Sequence, residues 1–462
     1  MDIDAVLKRI DDDLETSLER LFALLSIPSI STDPAYDGEC RRAAQWLADD
    51  FAAMGFSAEV RDTEGKPMVL AKSDGAPVAG DDKPHILFYG HYDVQPVDPL
   101  ELWTEEPFKP HLVTREDGSK MIVARGACDD KGQFMGFVEA VRAILAVEGA
   151  LPAPITILIE GEEESGSPSL PGFLAAAGDE LKADAAFVCD TGMWDADTPA
   201  IAMSLRGLVG EEITIRAANR DLHSGQFGGP ARNPNHILAK ILAALHDEDG
   251  RVTVPGFYEG VVEPAAETKA NWERLGLTAE EFLGPIGLKE AAGEKDRTVL
   301  EQLWSRPTLE VNGMIGGYTG KGFKTVIPGE ASAKVSFRLV GEQSPAKLRE
   351  AFRAFVRERV PADCEVSFAE HGGSPAFRVA EDWPMLKKGE QALKDEWGTE
   401  TAMVGMGGSI PIVHSFKHKL GMDTLMIGFA LEDDNVHSPN EKYDLKCFHK
   451  GIRSWARVLA AL

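Results

Sequence analysis

Apolar positions recur with two different periods along the chain, and these periods predict its elements. From Val6 to Leu25 they recur every three or four residues with acids between them, which predicts one amphipathic helix that ends at 27–29. A second helix is predicted over 40–54, before Gly55. Short apolar runs then alternate with helical patterns up to residue 189. The predicted strands are 68–72, 86–89, 155–160 and 185–189, and the predicted helices are 132–147 and 172–180.

This alternation of strand and helix indicates an α/β domain with a largely parallel sheet and flanking helices. Ligand sites in such sheets lie at the carboxyl ends of the strands. Polar residues follow three of the predicted strands: His91, the pair Glu163 and Glu164, and Asp190. We therefore expect these side chains to converge on one place.

From residue 206 the pattern changes to β-α-β-β-α-β, the order of a ferredoxin-like α+β domain. Its predicted elements are strand 208–217, helix 234–246, strands 308–312 and 331–340, helix 345–359 and strand 365–369. A polar insertion at 250–307 is predicted to be helical around 267–272 and 279–282. Helix and strand alternate again after 382, over 384–397, 423–428 and 446–462. The predicted organisation is a catalytic domain, 1–206 and 382–462, interrupted by a lid and dimerisation domain, 207–381.

Length and charge narrow the class of protein. A chain of 462 residues is too long for one hydrophobic core, which agrees with two domains. Its 48 Lys and Arg against 75 Asp and Glu argue against nucleic acid or an anionic membrane as partner. Five scattered cysteines without a C-x-x-C pair favour a reducing compartment. With no signal peptide and no apolar run long enough to cross a membrane, we predict a cytoplasmic protein.

The run ILFYGHYD carries the first candidate chemistry. His91 and Asp93 stand two residues apart after an apolar strand, so their side chains leave the same side of extended backbone. An imidazole and a carboxylate so placed suit a divalent cation. A hydrogen-bonded pair without metal is the simpler alternative.

Four further stretches would complete such a site. Asp129 and Asp130 open a helix in a glycine-flanked turn, where helix capping is the alternative role. The acids at 160–164 follow an apolar strand, although a solvated loop has the same composition. Asp190 ends a strand, and His437 lies in a polar loop. Together these stretches provide imidazole and carboxylate groups at several strand ends.

Seven separated motifs resemble the M20 family of metallopeptidases and amidohydrolases, in particular its cytosolic nonspecific dipeptidase and carnosinase branch. In chain order they are GHYDVQP, ARGACDDKG, EGEEESGS, RDLHSG, KTVIP, GGSIP and VHSPNEK. The resemblance covers essentially the whole chain. It implies two divalent ions per chain, with zinc as first choice and manganese or cobalt as alternatives. The implied ligands are His91 and Asp190 for one ion, Glu164 and His437 for the other, and Asp129 as the bridge.

The same resemblance implies roles for the remaining polar residues. Asp93 would orient His91, and Glu163 would be the general base that activates a metal-bridging water. The register among the acids at 162–164 is open by composition, and the match of Glu164-Ser165-Gly166 to the family pattern favours Glu163 as base. A cis peptide bond is expected between Asp129 and Asp130.

For the substrate, the resemblance points to Arg338 as the residue that binds a free carboxylate, with hydrogen bonds from Thr325, Gly408 and Ser409. His223 would reach the neighbouring subunit of a homodimer and stabilise the oxyanion there. The predicted function is hydrolysis of dipeptides or short peptides that have a free C-terminal carboxylate. The alternatives are an N-acyl-amino-acid amidohydrolase or a carboxypeptidase on the same site, and a catalytically silent binding homologue.

Overall fold

The computed structural model describes residues 1–80, 82–407 and 410–462. The chain folds into two compact units. The first unit contains Met1–Met203, Val379–Val404 and Ser415–Leu462, and the second contains Ser204–Arg378 and Gly405–His414. The first unit is therefore built from three separate stretches of the chain.

A mixed sheet forms the centre of the first unit. Seven of its nine strands run in the spatial order Ser57–Arg61, Met68–Lys72, Ile155–Glu160, Ile86–His91, Ala185–Val188, Asp423–Met426 and Ala200–Leu205. The four strands from Ile155–Glu160 to Asp423–Met426 are parallel, as predicted. The outer pairs are antiparallel. The mainly parallel centre places the carboxyl ends of its strands at one edge.

The helices of the first unit agree with the predicted periodicity, apart from the N-terminal one. They are Ile3–Asp12, Leu14–Leu25, Asp37–Ala53, Lys131–Glu148, Leu170–Leu181, Pro384–Trp397 and Leu445–Ala460. The single helix predicted over 6–25 is wrong, because the chain leaves helical geometry at Asp13 (φ −99°, ψ 3°). Asp13 has a low helix propensity, and its carboxylate pairs with Arg9 at 2.5 Å. The apolar period continues across this break, which is why the pattern did not reveal it.

Aromatic packing fixes the strand that leads to His91. Phe88 of that strand stacks on Phe137 of helix Lys131–Glu148, with ring centroids 3.7 Å apart. Trp455 of the C-terminal helix meets both rings edge-on, at 5.8 and 5.4 Å. These contacts between distant parts of the sequence hold the strand end in place.

A smaller sheet in the first unit was not predicted. Its strands are Lys442–Asp444, Lys120–Val123 and His111–Thr114, and Lys442 pairs with Val123. This pairing brings the C-terminal loop at 435–441 to the turn at 124–130. The chain reaches this part through strand Ala402–Met406, helix Pro411–Ser415 and a short π-helix, Phe416–Leu420.

The second unit contains a four-stranded antiparallel sheet. Its spatial order is Thr308–Gly316, Glu330–Leu339, Gly207–Arg216 and Glu365–Ser374. Apolar residues of these strands form one buried core with those of helices Pro234–Ala243 and Pro345–Arg357. Short strands Leu222–His223 and Val326–Ile327 pair with each other, and Phe377–Arg378 ends the unit.

The insertion at 250–307 has the two helices that the sequence predicts, and one more. They are Ala266–Leu275, Ala279–Leu283 and Val299–Trp304, while a single turn, Ser224–Phe227, follows His223. Among the helices of the described residues, none combines the length and apolar character needed to cross a bilayer.

Candidate metal centre

His91 ends a fully buried strand, and its ring is held on both nitrogens. Nδ1 lies 3.1 Å from the backbone oxygen of Asp93, and Nε2 lies 3.0 Å from Asp129 Oδ1. The His91 side chain is completely buried. The contact with Asp93 thus fixes the ring orientation and leaves Nε2 facing Asp129.

Asp129 lies between two histidines. While Oδ1 faces His91, Oδ2 lies 2.9 Å from His437 Nε2. The peptide bond between Asp129 and Asp130 is cis, as the resemblance implies. His437 has a positive φ of 62°, so a left-handed turn of the backbone directs its side chain here. The two oxygens of one carboxylate therefore point to two different imidazoles.

Five candidate ligands form two overlapping groups. His91, Asp129 and Asp190 form one group, and Asp129, Glu164 and His437 form the other; within each group the potential ligand atoms lie within 4.8 Å of one another. Asp129 belongs to both groups, which is the arrangement that a carboxylate shared by two cations requires. All five residues belong to the first unit.

The electrostatics of this cluster favour a cation. Burial raises the pKa of Asp190 to about 7, and the nearby charge of Asp129 adds to the effect. Hydrogen bonds to Asp129 and then Glu164 raise the pKa of His437 to about 10. Burial opposes ionisation of Asp129, but hydrogen bonds from His437 and His91 outweigh it and lower its pKa. Largely buried carboxylates that face imidazoles fit divalent ions, whose charge offsets the repulsion between the carboxylates.

The three acids after strand Ile155–Glu160 have different surroundings. Glu162 is buried and accepts hydrogen bonds from the backbone of Lys66 (2.9 Å) and Ser169 (3.1 Å). Glu164 faces His437 at 3.1 Å. Burial raises the pKa of Glu163 above its usual range. Glu162 thus anchors the loop, while Glu163 and Glu164 lie toward the cluster.

Asp93 connects this acidic loop to the His91 strand. Its Oδ1 accepts a hydrogen bond from Glu163 N (3.2 Å), and its Oδ2 accepts one from Glu164 N (3.0 Å). One buried residue therefore positions both acids through its carboxylate and the His91 ring through its backbone oxygen. Gln95, two residues further on, donates to Glu164 Oε2 at 2.7 Å.

Glu441 is a positioning residue that the sequence pattern did not reveal. It is buried, forms an ion pair with Arg125 at 2.8 Å and accepts backbone hydrogen bonds from Gly126, Cys128 and Asp129 at 2.9 to 3.0 Å. It therefore holds the turn that presents Asp129. Glu441 belongs to the motif VHSPNEK, which was the one sequence signal for it. The turn that it contacts lies far away in the chain, because Glu441 and Asp129 are 312 positions apart.

Asp130 does not act as a side-chain cap for helix Lys131–Glu148. Its Oδ2 accepts a hydrogen bond from His91 N at 3.2 Å, and Cys189 Sγ lies 3.4 Å from its Oδ1. Of the two acids in the turn, Asp129 faces the imidazoles, and Asp130 supports the backbone of the strand that ends at His91.

Three predicted substrate contacts lie in the second unit. His223 is exposed, and its Nδ1 accepts a hydrogen bond from Gly225 N at 3.0 Å. Thr325 is exposed, and its backbone oxygen accepts one from Ser224 N at 3.1 Å. Arg338 is half-buried near the end of strand Glu330–Leu339. The predicted contacts Gly408 and Ser409 lie outside the described residues.

The chain is similar to known metallopeptidases. The peptidase family M20/M25/M40 matches residues 87–461. The chain is 29% identical to the Cys-Gly metallodipeptidase dug1 of Schizosaccharomyces pombe, over 98% of this chain and 97% of that protein. It is 30% identical to the human Beta-Ala-His dipeptidase, over 84% of this chain and 76% of that protein. A solved M20 family metallo-carboxypeptidase from Sulfolobus solfataricus shares 32% identity at a TM-score of 0.73, covering 96% of this chain and 98% of that one.

Two groups of potential metal ligands share one carboxylate at the carboxyl ends of parallel strands. This arrangement is typical of metal-dependent hydrolases with an α/β catalytic unit. Within that class, the chain belongs to peptidase family M20/M25/M40. It is a metallopeptidase.

Proposed function

We propose that this protein hydrolyses the peptide bond of dipeptides or short peptides that have a free C-terminal carboxylate, using two divalent ions per chain. The observation that carries this proposal is Asp129, whose two carboxylate oxygens face His91 at 3.0 Å and His437 at 2.9 Å. The likeness to proteins named as a Cys-Gly metallodipeptidase and a Beta-Ala-His dipeptidase supports the substrate class.

The ligand assignment follows the two groups. His91 and Asp190 would hold one ion, Glu164 and His437 the other, and Asp129 both. Bound ions supply positive charge that lowers the pKa of a water and polarises the substrate carbonyl. Zinc is the first choice, and manganese or cobalt fit the same imidazole and carboxylate donors.

Glu163 is the proposed general base. Burial raises its pKa, which makes its carboxylate a better proton acceptor near neutral pH. It would take the proton of the attacking water and pass it to the leaving amine. Asp93 would support this step, because it accepts a hydrogen bond from Glu163 N and so fixes the backbone of the proposed base.

The second unit has the proposed role of lid and dimerisation domain. Its four-stranded order, with helices against one core, is compatible with the ferredoxin-like arrangement predicted from the sequence. Arg338 would bind the substrate carboxylate, with hydrogen bonds from Thr325, Gly408 and Ser409. His223 would donate to the oxyanion in the partner subunit of a homodimer. We also propose a reducing, cytoplasmic location. The five cysteines support it, because all of them are free.

A carboxypeptidase activity on the same centre is the second candidate. It is favoured by the likeness to the Sulfolobus solfataricus enzyme named as a metallo-carboxypeptidase. A dipeptidase requires both ends of its substrate to be recognised, whereas a carboxypeptidase requires only the C-terminal residue. Substrate length therefore separates the two activities.

The test is a panel of dipeptides, tetrapeptides and N-acyl amino acids, assayed with and without EDTA. We expect dipeptides to be cleaved fastest and EDTA to abolish the activity, with recovery after addition of zinc, manganese or cobalt. Faster release of C-terminal residues from the tetrapeptides would establish the carboxypeptidase instead. Activity that is indifferent to EDTA would contradict both.

A further inference from the structure

The loop at 95–104 is attached at its start to one of the proposed metal ligands. Gln95 Nε2 donates to Glu164 Oε2 at 2.7 Å and to Glu164 O at 3.2 Å. The next residue, Pro96, accepts a hydrogen bond on its backbone oxygen from the buried Arg125 at 3.0 Å. The loop therefore begins at a fixed position relative to Glu164.

The end of the same loop is attached to the segment that contains His437. Asn440 Oδ1 accepts a hydrogen bond from Thr104 N, and Asn440 Nδ2 donates one to Leu102 O, each at 2.8 Å. Asn440 follows His437 by three residues, so at most about 11 Å of backbone separates the two. The loop is therefore held close to both proposed ligands of the second ion.

Contacts within the loop limit its freedom to move. Trp103 Nε1 donates to Val97 O at 2.8 Å, and the Arg125 guanidinium lies over the Trp103 ring, 5.3 Å from its centroid. A backbone hydrogen bond from Trp103 N to Leu100 O, at 3.2 Å, closes the turn at the tip. A surface ordered in this way loses little conformational entropy when a ligand binds to it.

Two leucines at the tip of this ordered loop are exposed. Leu100 has 56% of its surface accessible and Leu102 has 61%. Val436, directly before His437, is also among the exposed large apolar residues. An apolar group that covers such side chains removes apolar surface from water, which favours binding. The loop therefore offers an apolar contact beside the metal centre.

The charge of the loop indicates which end of a peptide it suits. The segment 95–106 contains no Lys, Arg or His, and all four of its acids are exposed: Asp98, Glu101, Glu105 and Glu106. Negative charge repels a free carboxylate and attracts an ammonium group. A dipeptide has these two groups at opposite ends, so the loop favours its amino-terminal residue.

We propose that Leu100 and Leu102 contact the side chain of the substrate's amino-terminal residue and give the enzyme a preference for apolar side chains there. The inference rests on the proposed peptidase activity and adds which residue of the substrate is selected. A peptide bond must lie at the two proposed ions to be cleaved, and the loop is attached to segments that carry two of their proposed ligands. The side chain before that bond thus meets an ordered apolar surface.

The test measures kcat/KM of the metal-loaded full chain for Leu-Gly, Gly-Leu and Gly-Gly. We expect Leu-Gly to exceed Gly-Gly by about tenfold or more, the lower end of what apolar groups contribute to discrimination. In the double variant Leu100→Ser and Leu102→Ser, this ratio should fall to about two or less. The ratio of Gly-Leu to Gly-Gly should keep its wild-type value, because it reports on the other residue of the substrate.

Leu112→Ser is the matched control, since Leu112 is another exposed leucine of the first unit and lies on strand His111–Thr114. It should keep both wild-type ratios. Thermal unfolding checks the double variant, and Leu102→Ala alone, which should lower the Leu-Gly ratio by about threefold, replaces it if it unfolds early.

Three outcomes overturn this inference and leave the proposed function intact. They are a wild-type Leu-Gly ratio near one, a ratio that the leucine variants do not change, and an equal fall of the Leu-Gly and Gly-Leu ratios. Equal falls would mean that the leucines act on the whole active site or on an interface. Hydrolysis of none of the three dipeptides would overturn the proposed function as well, so the two failures are distinguishable.

Discussion

At the scale of single residues, the acidic loop after strand Ile155–Glu160 contains a structural acid, Glu162, and the proposed general base, Glu163. Glu162 accepts hydrogen bonds from the backbone of Lys66 and Ser169, while Glu163 is tied through its own backbone to Asp93. We therefore expect Glu163→Gln to lower kcat by about 10²–10⁴, because an amide cannot accept the proton. Metal content should stay at the wild-type value.

Glu162→Gln is the matched control for that variant. An amide oxygen can still accept one of the two backbone hydrogen bonds of Glu162, so we expect activity within about tenfold of wild type and a small loss of thermal stability. If Glu162→Gln were inactive and Glu163→Gln active, the base would be one residue earlier than proposed.

His437 tests the number of metal ions. It is the most exposed of the proposed ligands, with 53% of its side chain accessible, so replacing it disturbs little packing. We expect elemental analysis to find close to two divalent ions per wild-type chain and close to one in His437→Ala. His111→Ala, on outer strand His111–Thr114, serves as the control. Full occupancy in His437→Ala would remove it from the ligand set.

At the scale of elements, an ion-pair cluster joins helix Leu170–Leu181 to the edge of the sheet. Hydrogen bonds from Arg61 and Lys72 lower the pKa of Glu180 from an ordinary 4.5 to about 2. The folded state thus binds the Glu180 proton more weakly than the unfolded state does. The contribution of the ionised Glu180 to the free energy of unfolding is therefore fully present above about pH 4.5, and it is lost as the pH falls through about 2.

Glu180→Gln should therefore lower the free energy of unfolding at pH 7 by on the order of 1 kcal/mol, since partial exposure screens the pair. The difference from wild type should shrink as the pH falls from about 4.5 toward 2. Urea unfolding of both proteins at several pH values measures this difference in the free energy of unfolding. Asp179→Asn is the control, because Asp179 is 97% exposed and its ion pair among the described residues is a local one with Lys182, three residues further along the chain. A difference that is independent of pH would contradict the linkage.

Local pattern was enough to predict most elements and several strand-end residues of the candidate site. His91 and the acids at 163–164 follow predicted strands, and parallel pairing brings those strand ends together. The break at Asp13 was not predictable, because the apolar period is the same on both sides of it. Glu441 and Gln95 were missed for a different reason: their roles depend on contacts with Asp129 and Glu164 that only the folded chain creates.

At the scale of the whole molecule, the oligomeric proposal depends on His223. Because Gly225 N donates to Nδ1, the proton of the neutral ring lies on Nε2, which leaves a donor for an oxyanion. We expect His223→Ala homodimers to bind both metals and to lose about 10²–10³ in turnover.

Mixed dimers show whether this donor acts across the interface. A heterodimer of one His223→Ala chain and one Glu163→Gln chain would carry both lesions at one site and neither at the other. Its activity should rise above that of either parent, toward half of wild type per dimer. If subunit exchange is demonstrated and activity stays at the parental level, His223 acts within its own chain or not at all.

The discontinuous first unit has a consequence for how the protein is made. Strand Asp423–Met426 lies between Ala185–Val188 and Ala200–Leu205, although both of these are synthesised more than 200 residues earlier. While the chain is still being synthesised, its central sheet therefore lacks the strand Asp423–Met426, and His437 has not yet been added. Unpaired strand edges of this kind bind chaperones or aggregate. The N-terminal segments therefore remain incomplete until residues 423–437 emerge, and the proposed metal centre could form only after His437 has been added to the chain.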